Sequence, residues 1–218
     1  MPRSEYRLCF TKGTESVCGL AFLNELAARQ RHDRYTGEKM TNTFHDTCDT
    51  SFDKYSEYLE THIANVQKAY EWLKENTSVS KDYDFSNHDA SKYSKEEFEG
   101  YAEYFYGSGR NNIYYEWLHH IHHNPHHWEY WVLPDDEERG YSLYLPMPEE
   151  YIVEMICDWM SFGIAKNDPY ELFDYWKVQQ SRISIHPLSL KRVAEILGEI
   201  RLVLDAQDDG NNKTERNL

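Results

Sequence analysis

His119-His120-Ile121-His122-His123-Asn124-Pro125-His126-His127 places six of the chain's 11 histidines in one short run. Neutral imidazole is the commonest protein metal ligand. Imidazoles with interspersed carboxylates suit Zn, Fe, Ni or Mn. The competing reading is a solvated histidine-rich tract that binds metal only adventitiously. The neighbours weigh against it, since Trp117, Trp128, Tyr130 and Trp131 are large aromatics that favour burial. The tract therefore belongs to a folded core. Pro125 drives Asn124 out of the helical region, so the chain turns there. A helix over about 112–123 ends at the turn, and His126-His127 lie just past it.

Outward from the tract the sequence reads as helices. Tyr55, Leu59, Ile63, Val66, Tyr70 and Leu73 recur at three and four, predicting an amphipathic helix over 53–76 with His62 at the edge of its apolar stripe. Residues 77–87 read as a loop before His88-Asp89. Ser94 with Glu97 has the spacing of a capping box for a helix over 95–106, broken by Gly107-Ser108-Gly109. Residues 133–147 read as a polar surface loop. Pro148 suits the first turn of a helix over 148–165 that ends near Gly163. Helices near 169–181 and 187–206 close the pattern. No internal repeat and almost no strand pattern is visible, so the expected fold class is all-α.

Composition limits the functions available. Hydrophobic residues make up 40 % and charged residues 28 % of the 218, as in an ordinary globular chain, and aromatics reach 15 %. The net charge of −15 argues against nonspecific nucleic-acid or anionic-membrane surfaces, which need Lys/Arg patches. It leaves room for a small phosphorylated substrate, because bound divalent cations reverse the local potential. Cys9, Cys18, Cys48 and Cys157 show no CxxC spacing, which predicts a reducing, cytoplasmic compartment. No stretch approaches the roughly 18 apolar residues of a membrane span.

Residues 1–39 carry seven Lys/Arg and five Asp/Glu, a charge of +2, which leaves −17 on the rest. Either they form an extension with one short helix near 17–31, or translation starts at Met40. The expected organisation is an N-terminal extension at 1–45, a helical domain at 46–206 and a disordered tail at 207–218.

The candidate ligands in chain order are His62, His88, Asp89, the tract histidines and Asp158. Asp158 follows Ile152-Val153 and Met155-Ile156-Cys157, and a carboxylate in such a stretch is costly to bury unless paired or metal-bound. Glu154 stands one turn earlier on the same helix face. The competing reading has both carboxylates facing solvent. No Gly-rich phosphate loop, GxSxG elbow or HExxH motif is present.

The order H…HD…H…H…D resembles the HD-domain superfamily of metal-dependent phosphohydrolases. His88-Asp89-Ala90-Ser91-Lys92 looks like its HDxGK motif with Ser for Gly. His126-His127-Trp128-Glu129 is similar to the HHE region of the cyclic-dinucleotide phosphodiesterase branch, with Trp inserted. HDASKYSKEEFEGYAEYF, WLHHIHHNPHHWEYW and MPEEYIVEMICDW resemble an uncharacterised family of bacteria and their phages, over roughly residues 53–185.

This resemblance implies an HD-like helical bundle with one or two divalent metals between helices, drawn from Mn, Fe, Zn, Co or Mg. It implies His62, His88, Asp89 and Asp158 as ligands, with Asp89 bridging if two ions bind. From the tract it favours His120, His126 and His127, with His119 next and His122 and His123 outside. The implied activity is hydrolysis of a phosphoester in a nucleotide or other small metabolite by metal-activated water. Asp89 acts at the metal, Lys92 reaches the phosphate as a point charge, and Glu154 orients an imidazole or moves a proton. A di-iron oxygenase of HD type and a non-enzymatic, metal-stabilised binding protein are the alternatives.

Overall fold

Six helices carry the fold in the computed structural model, which describes residues 50–107, 112–135 and 137–215, with side chains as far as 208. They are α1 (Thr50–Asn76), α2 (Phe98–Tyr106), α3 (Tyr114–His123), α4 (Glu149–Lys166), α5 (Glu171–Gln179) and α6 (Pro187–Glu215). The expected all-α bundle is what forms. The extension expected at 1–45, its helix near 17–31 and the alternative start at Met40 lie outside the described residues.

The α1 segment contains neither Gly nor Pro, so nothing interrupts it. Its buried face runs through Tyr55, Leu59, His62, Val66, Ala69 and Leu73. Here the fold differs from the sequence reading. Ile63 is only half-buried, and His62 occupies the centre of the inward stripe. The helix is rotated so that a polar residue with an interior partner faces inward.

Toward the chain's start, Tyr55 meets Phe98 and Tyr101 of α2 at ring-centroid distances of 5.3 and 6.0 Å. Toward its end, Val66, Ala69, Tyr70 and Leu73 pack with Ile152, Val153 and Ile156 of α4 and with Val193, Ile196 and Ile200 of α6. Each such Val, Leu or Ile side chain contributes about 1.5–3 kcal/mol on burial. His62 lies between these two apolar clusters.

Helix α4 is the innermost element, with Ile152 to Cys157 buried in succession. Its last turn closes in a Schellman motif. Asp168 N–H donates to the Gly163 carbonyl at 2.9 Å and Asn167 N–H to Ile164 at 3.2 Å, with Asn167 left-handed at φ 54°. Met147 N–H donates to Ser189 Oγ at 2.9 Å, fixing the entry of α4 against α6. Cys157 is buried as a free thiol.

Three local expectations are corrected. The helix expected over 95–106 starts at Phe98, and Ser94 and Glu97 form no capping box: Glu97 makes no capping bond and the buried Ser94 hydroxyl has no partner. A cap is worth about 1 kcal/mol, whereas a buried imidazole N–H left unpaired costs about 1–3. Glu97 accordingly turns inward to histidines of α3. The loop at 133–147 is closed by a short antiparallel ladder, β1 (Val132–Leu133) on β2 (Leu143–Tyr144). The last helix, expected to stop at 206, continues as helical backbone to Glu215. No proline follows Pro187, and the intervening Gly210 weakens a helix by only about 1 kcal/mol.

No described helix is long and apolar enough to cross a membrane.

Two glycines give opposite predictions. A Cβ at Gly163 would lie 2.5 Å from the carbonyl oxygen of Asp168, the residue whose N–H closes the Schellman motif, whereas one at Gly198 meets nothing within 4 Å. Gly198→Ala in mid-helix should stabilise by about 0.5–1 kcal/mol. Gly163→Ala should destabilise. Urea denaturation of both variants checks the order, and equal midpoints would refute the assignment of α4's end.

Candidate metal centre

Four separate segments bring their polar side chains to one place. His62 comes from the middle of α1, and His88-Asp89 from the turn ahead of the 3-10 segment Ala90–Tyr93. His120 comes from α3 with His126-His127 just beyond it, and Glu154 and Asp158 come from α4. The central turn is tight: His88 N–H donates to Phe85 at 3.0 Å and Lys92 N–H to Asp89 at 2.8 Å. Asp89 itself is left-handed at φ 57°. Asp tolerates that region better than most residues, and such backbones cluster at functional sites.

The tract folds as its proline dictates. Asn124 leaves the helix at φ −120°, ψ 97°, and His127 N–H closes a turn onto its carbonyl at 3.0 Å. Trp131 Nε1–H donates to the Pro125 carbonyl at 2.7 Å. This return sets His126 and His127 against His120, with His120 and His127 rings 4.7 Å apart. Asn124 Nδ2 donates to Ser91 Oγ at 2.6 Å and to the His120 carbonyl at 2.8 Å, tying α3 to the Asp89 turn.

Three ligand-type groups result among the described residues, two of them sharing Asp89 and the third made of His88, His126 and Glu154. In the first, His62 Nε2 stands 3.4 Å from Asp89 Oδ2, 3.2 Å from Asp158 Oδ1 and 3.3 Å from His88 Nε2. His88 Nε2 is 3.5 Å from Asp89 Oδ2 and 3.8 Å from Asp158 Oδ1. In the second, Asp89 Oδ1 faces His120 Nε2 at 3.3 Å and His126 Nε2 at 3.5 Å, and His127 Nε2 is 2.8 Å from His120 Nε2. Four donors at bond lengths of about 2.0–2.2 Å around one ion stand about 3.3–3.6 Å apart. Most of the observed spacings lie near that range, with His120–His127 shorter at 2.8 Å and His88–Asp158 longer at 3.8 Å.

The outer nitrogens are already engaged. Glu154 Oε1 accepts from His88 Nδ1 at 2.8 Å and lies 3.3 Å from His126 Nδ1, so one carboxylate holds an imidazole of each group that shares Asp89. Glu97 Oε2 accepts from His120 Nδ1 at 2.9 Å. Ser161 Oγ donates to the Asp158 carbonyl at 2.7 Å and accepts from His62 Nδ1 at 3.1 Å. Each bond puts the proton on Nδ1 and leaves the Nε2 lone pair facing inward.

Two buried atoms support a cation. Asp89 Oδ1 and His126 Nε2 have no hydrogen-bond partner, yet they face each other. Buried polar atoms of this kind ordinarily find one. The charge balance agrees. Asp89, Glu97, Glu154 and Asp158 all meet the imidazoles of this cluster, and among the described residues one lysine, Lys92, joins them, its Nζ 2.6 Å from Asp89 Oδ2. The donor set could therefore hold a metal ion.

Burial alone would push the carboxyl pKa values up. Hydrogen bonds from His126 and His88 outweigh it and hold Glu154 at about 2. Asp158, bonded by His62 and His88, and Asp89, facing His88, Lys92 and His120, are likewise held well below the usual range. Burial and the adjacent imidazoles of His126 and His120 hold His127 well below the ordinary histidine value, and burial with His88 lowers His126. Neutral imidazole is the form that binds metal. For His88, burial is overcome by Asp89 and its carboxylate neighbours, which raise it to about 10, so an ion bound at its Nε2 must displace a proton from that nitrogen.

Six of the seven residues read as ligands, His62, His88, Asp89, His120, His126 and His127, lie in these groups, and Asp158 stands beside them with Oδ1 3.2 Å from His62 Nε2. Glu154 and Asp158 face inward rather than toward solvent. Lys92 is on the expected side, but its ammonium bonds Asp89 instead of standing clear of the ligands. His122 and His123 are exposed. His119 does not join the centre; its Nδ1 donates to Glu97 Oε1 at 2.6 Å. Glu97, Ser161, Ser91 and Asn124 were not anticipated. Glu97 was hidden behind the capping-box pattern, although a carboxylate 22 residues before a histidine tract offers a spare acceptor.

The chain matches the family described as "Family of unknown function (DUF5662)" over residues 51–199, a span holding every residue of these groups. No curated protein and no solved structure matches. The family match covers more than half of the sequence, from the start of α1 into α6, and on that basis the chain belongs to the DUF5662 family.

Proposed function

We propose that this protein is a metal-dependent phosphohydrolase of HD type, acting on a nucleotide or another small phosphorylated metabolite. The observation that carries the reading is Asp89: one buried carboxylate presents Oδ2 to His62 and His88 and Oδ1 to His120 and His126. In this reading His62, His88, Asp89 and Asp158 hold one ion, and Asp89, His120, His126 and His127 hold the other. Bound divalent ions supply an acidified water near neutral pH and a Lewis acid for the phosphoryl oxygen.

The chain's own residues do the rest. Glu154 and Glu97 lock imidazole orientation and increase its basicity. Lys92 is 17 % exposed, so its ammonium borders both the buried carboxylate and the solvent side from which an anion arrives. A protonated lysine cannot ligate metal, and its role toward a substrate is that of a point charge on phosphate. Against a net charge of −15, such local positive charge is what admits an anionic substrate.

The test begins with metal analysis of purified protein, followed by phosphate release across a panel of nucleotides and sugar phosphates. Release supported by Mn, Co, Zn or Mg is expected. Two tightly held, redox-active irons with no phosphate release would replace hydrolysis by oxygen chemistry. Bound metal inert in both assays would favour a structural site.

Three variants separate the roles. Asp89→Ala should lose bound metal and activity while far-ultraviolet circular dichroism stays near wild type; retained metal content would refute the shared-ligand role. Glu154→Ala should weaken metal affinity by about 10–100-fold through two freed imidazoles, measured by chelator competition. Lys92→Ala should keep its metal yet turn over about 10²- to 10³-fold more slowly, the usual range for one charge-stabilising donor. A normal rate would return Lys92 to a purely local pairing with Asp89.

A further inference from the structure

His119 and His123 stand outside the buried centre, one turn apart on α3. Their rings stack at 3.8 Å between centroids with an interplanar angle of 17°. Both outer nitrogens are engaged as donors. His119 Nδ1 donates to Glu97 Oε1 at 2.6 Å. His123 Nδ1 donates to the His119 carbonyl at 2.7 Å. A metal-binding histidine commonly donates its second N–H to a carboxylate or a backbone carbonyl, which fixes the tautomer and raises ligand basicity. These two imidazoles have one of each, so both Nε2 lone pairs are left for a ligand. Two histidines at i and i+4 on one helix face are a recognised metal-binding arrangement. His119 is 26 % exposed and His123 is exposed, so an ion can approach from solvent.

We propose that His119 and His123 form a second metal site, a two-imidazole chelate on the surface of α3 for a divalent transition ion such as Zn(II), Ni(II) or Cu(II). It is independent of the hydrolase reading. With two protein ligands, the remaining positions go to water, and the ion exchanges readily. Imidazole donors favour Zn, Cu and Ni over Mg or Ca. Glu97 ties the site to the centre, because its other oxygen holds His120. His122 is also exposed on α3, but it lies about 100° around the helix from His123 and outside the stacked pair. It serves as the internal control for a nonspecific histidine tract.

The experiment is a Zn(II) titration of the full chain, after its tight sites are filled, against a chromogenic chelator. Wild type should bind one further, weaker equivalent. His123→Ala should lose that equivalent, and His122→Ala should retain it. Equal losses in both variants, or no loss in His123→Ala, would overturn the proposal. An independent readout needs no variant. With the tight sites already filled by Zn(II), substoichiometric Ni(II) should broaden the ring proton signals of His119 and His123 before those of His122 and His186, and uniform broadening across the exposed histidines would also overturn it.

Discussion

Asp89 is the constraint around which the rest of the structure is arranged. A carboxylate without accessible surface is unfavourable unless its charge is met, and its two oxygens here face different sets of imidazoles. Meeting both sets at once requires a sharp turn, which the left-handed backbone at Asp89 provides. It also requires α1, α3 and α4 to approach the turn from separate sides. The bundle is thus organised by apolar packing on either side of the centre and by charge pairing within it. Neither suffices alone: the apolar clusters hold the helices close, and the centre determines which faces turn inward.

That division explains where the sequence was legible. Helix positions, the break at Pro125 and the convergence of His62, His88, Asp89 and Asp158 could be read from periodicity, turn chemistry and the ordered resemblance. Helix phase was harder. An apolar stripe places the inward face to within about one residue, and on α1 the choice between His62 and Ile63 is decided by partners 26 to 99 residues away. Periodicity cannot see a polar residue whose partners make burial favourable. Glu97 illustrates the same limit. Its spacing from Ser94 satisfies a local rule, while its carboxylate is used by histidines on another helix. Local patterns report what a residue can do nearby, and tertiary pairing overrides them when the energies at stake are larger.

The supporting shell is economical in its use of carboxylates. Glu154 serves an imidazole in each group that shares Asp89, and Glu97 serves one buried and one surface imidazole. Such sharing couples the positions of His88 and His126, and of His119 and His120. Displacing either carboxylate therefore disturbs two rings, so single substitutions there are expected to be non-additive. Ser161 plays the smaller version of this role for His62, donating to its own helix and accepting from the imidazole.

The histidine tract is a consequence of helix geometry meeting a proline. Within α3, His119 and His123 share one face and His120 takes another, because four residues nearly complete a turn and one residue rotates the side chain by about 100°. A continuous helix would have carried positions 126 and 127 onward along its axis. Pro125 stops it, the Trp131 indole fastens the reversed chain at the Pro125 carbonyl, and His126 and His127 return to the level of His120. Six histidines that look redundant in sequence are thereby sorted into three inward ligand candidates, a stacked outward pair and one solvent-facing residue. The sorting requires Pro125 more than any individual histidine, since without the turn His126 and His127 would not face Asp89.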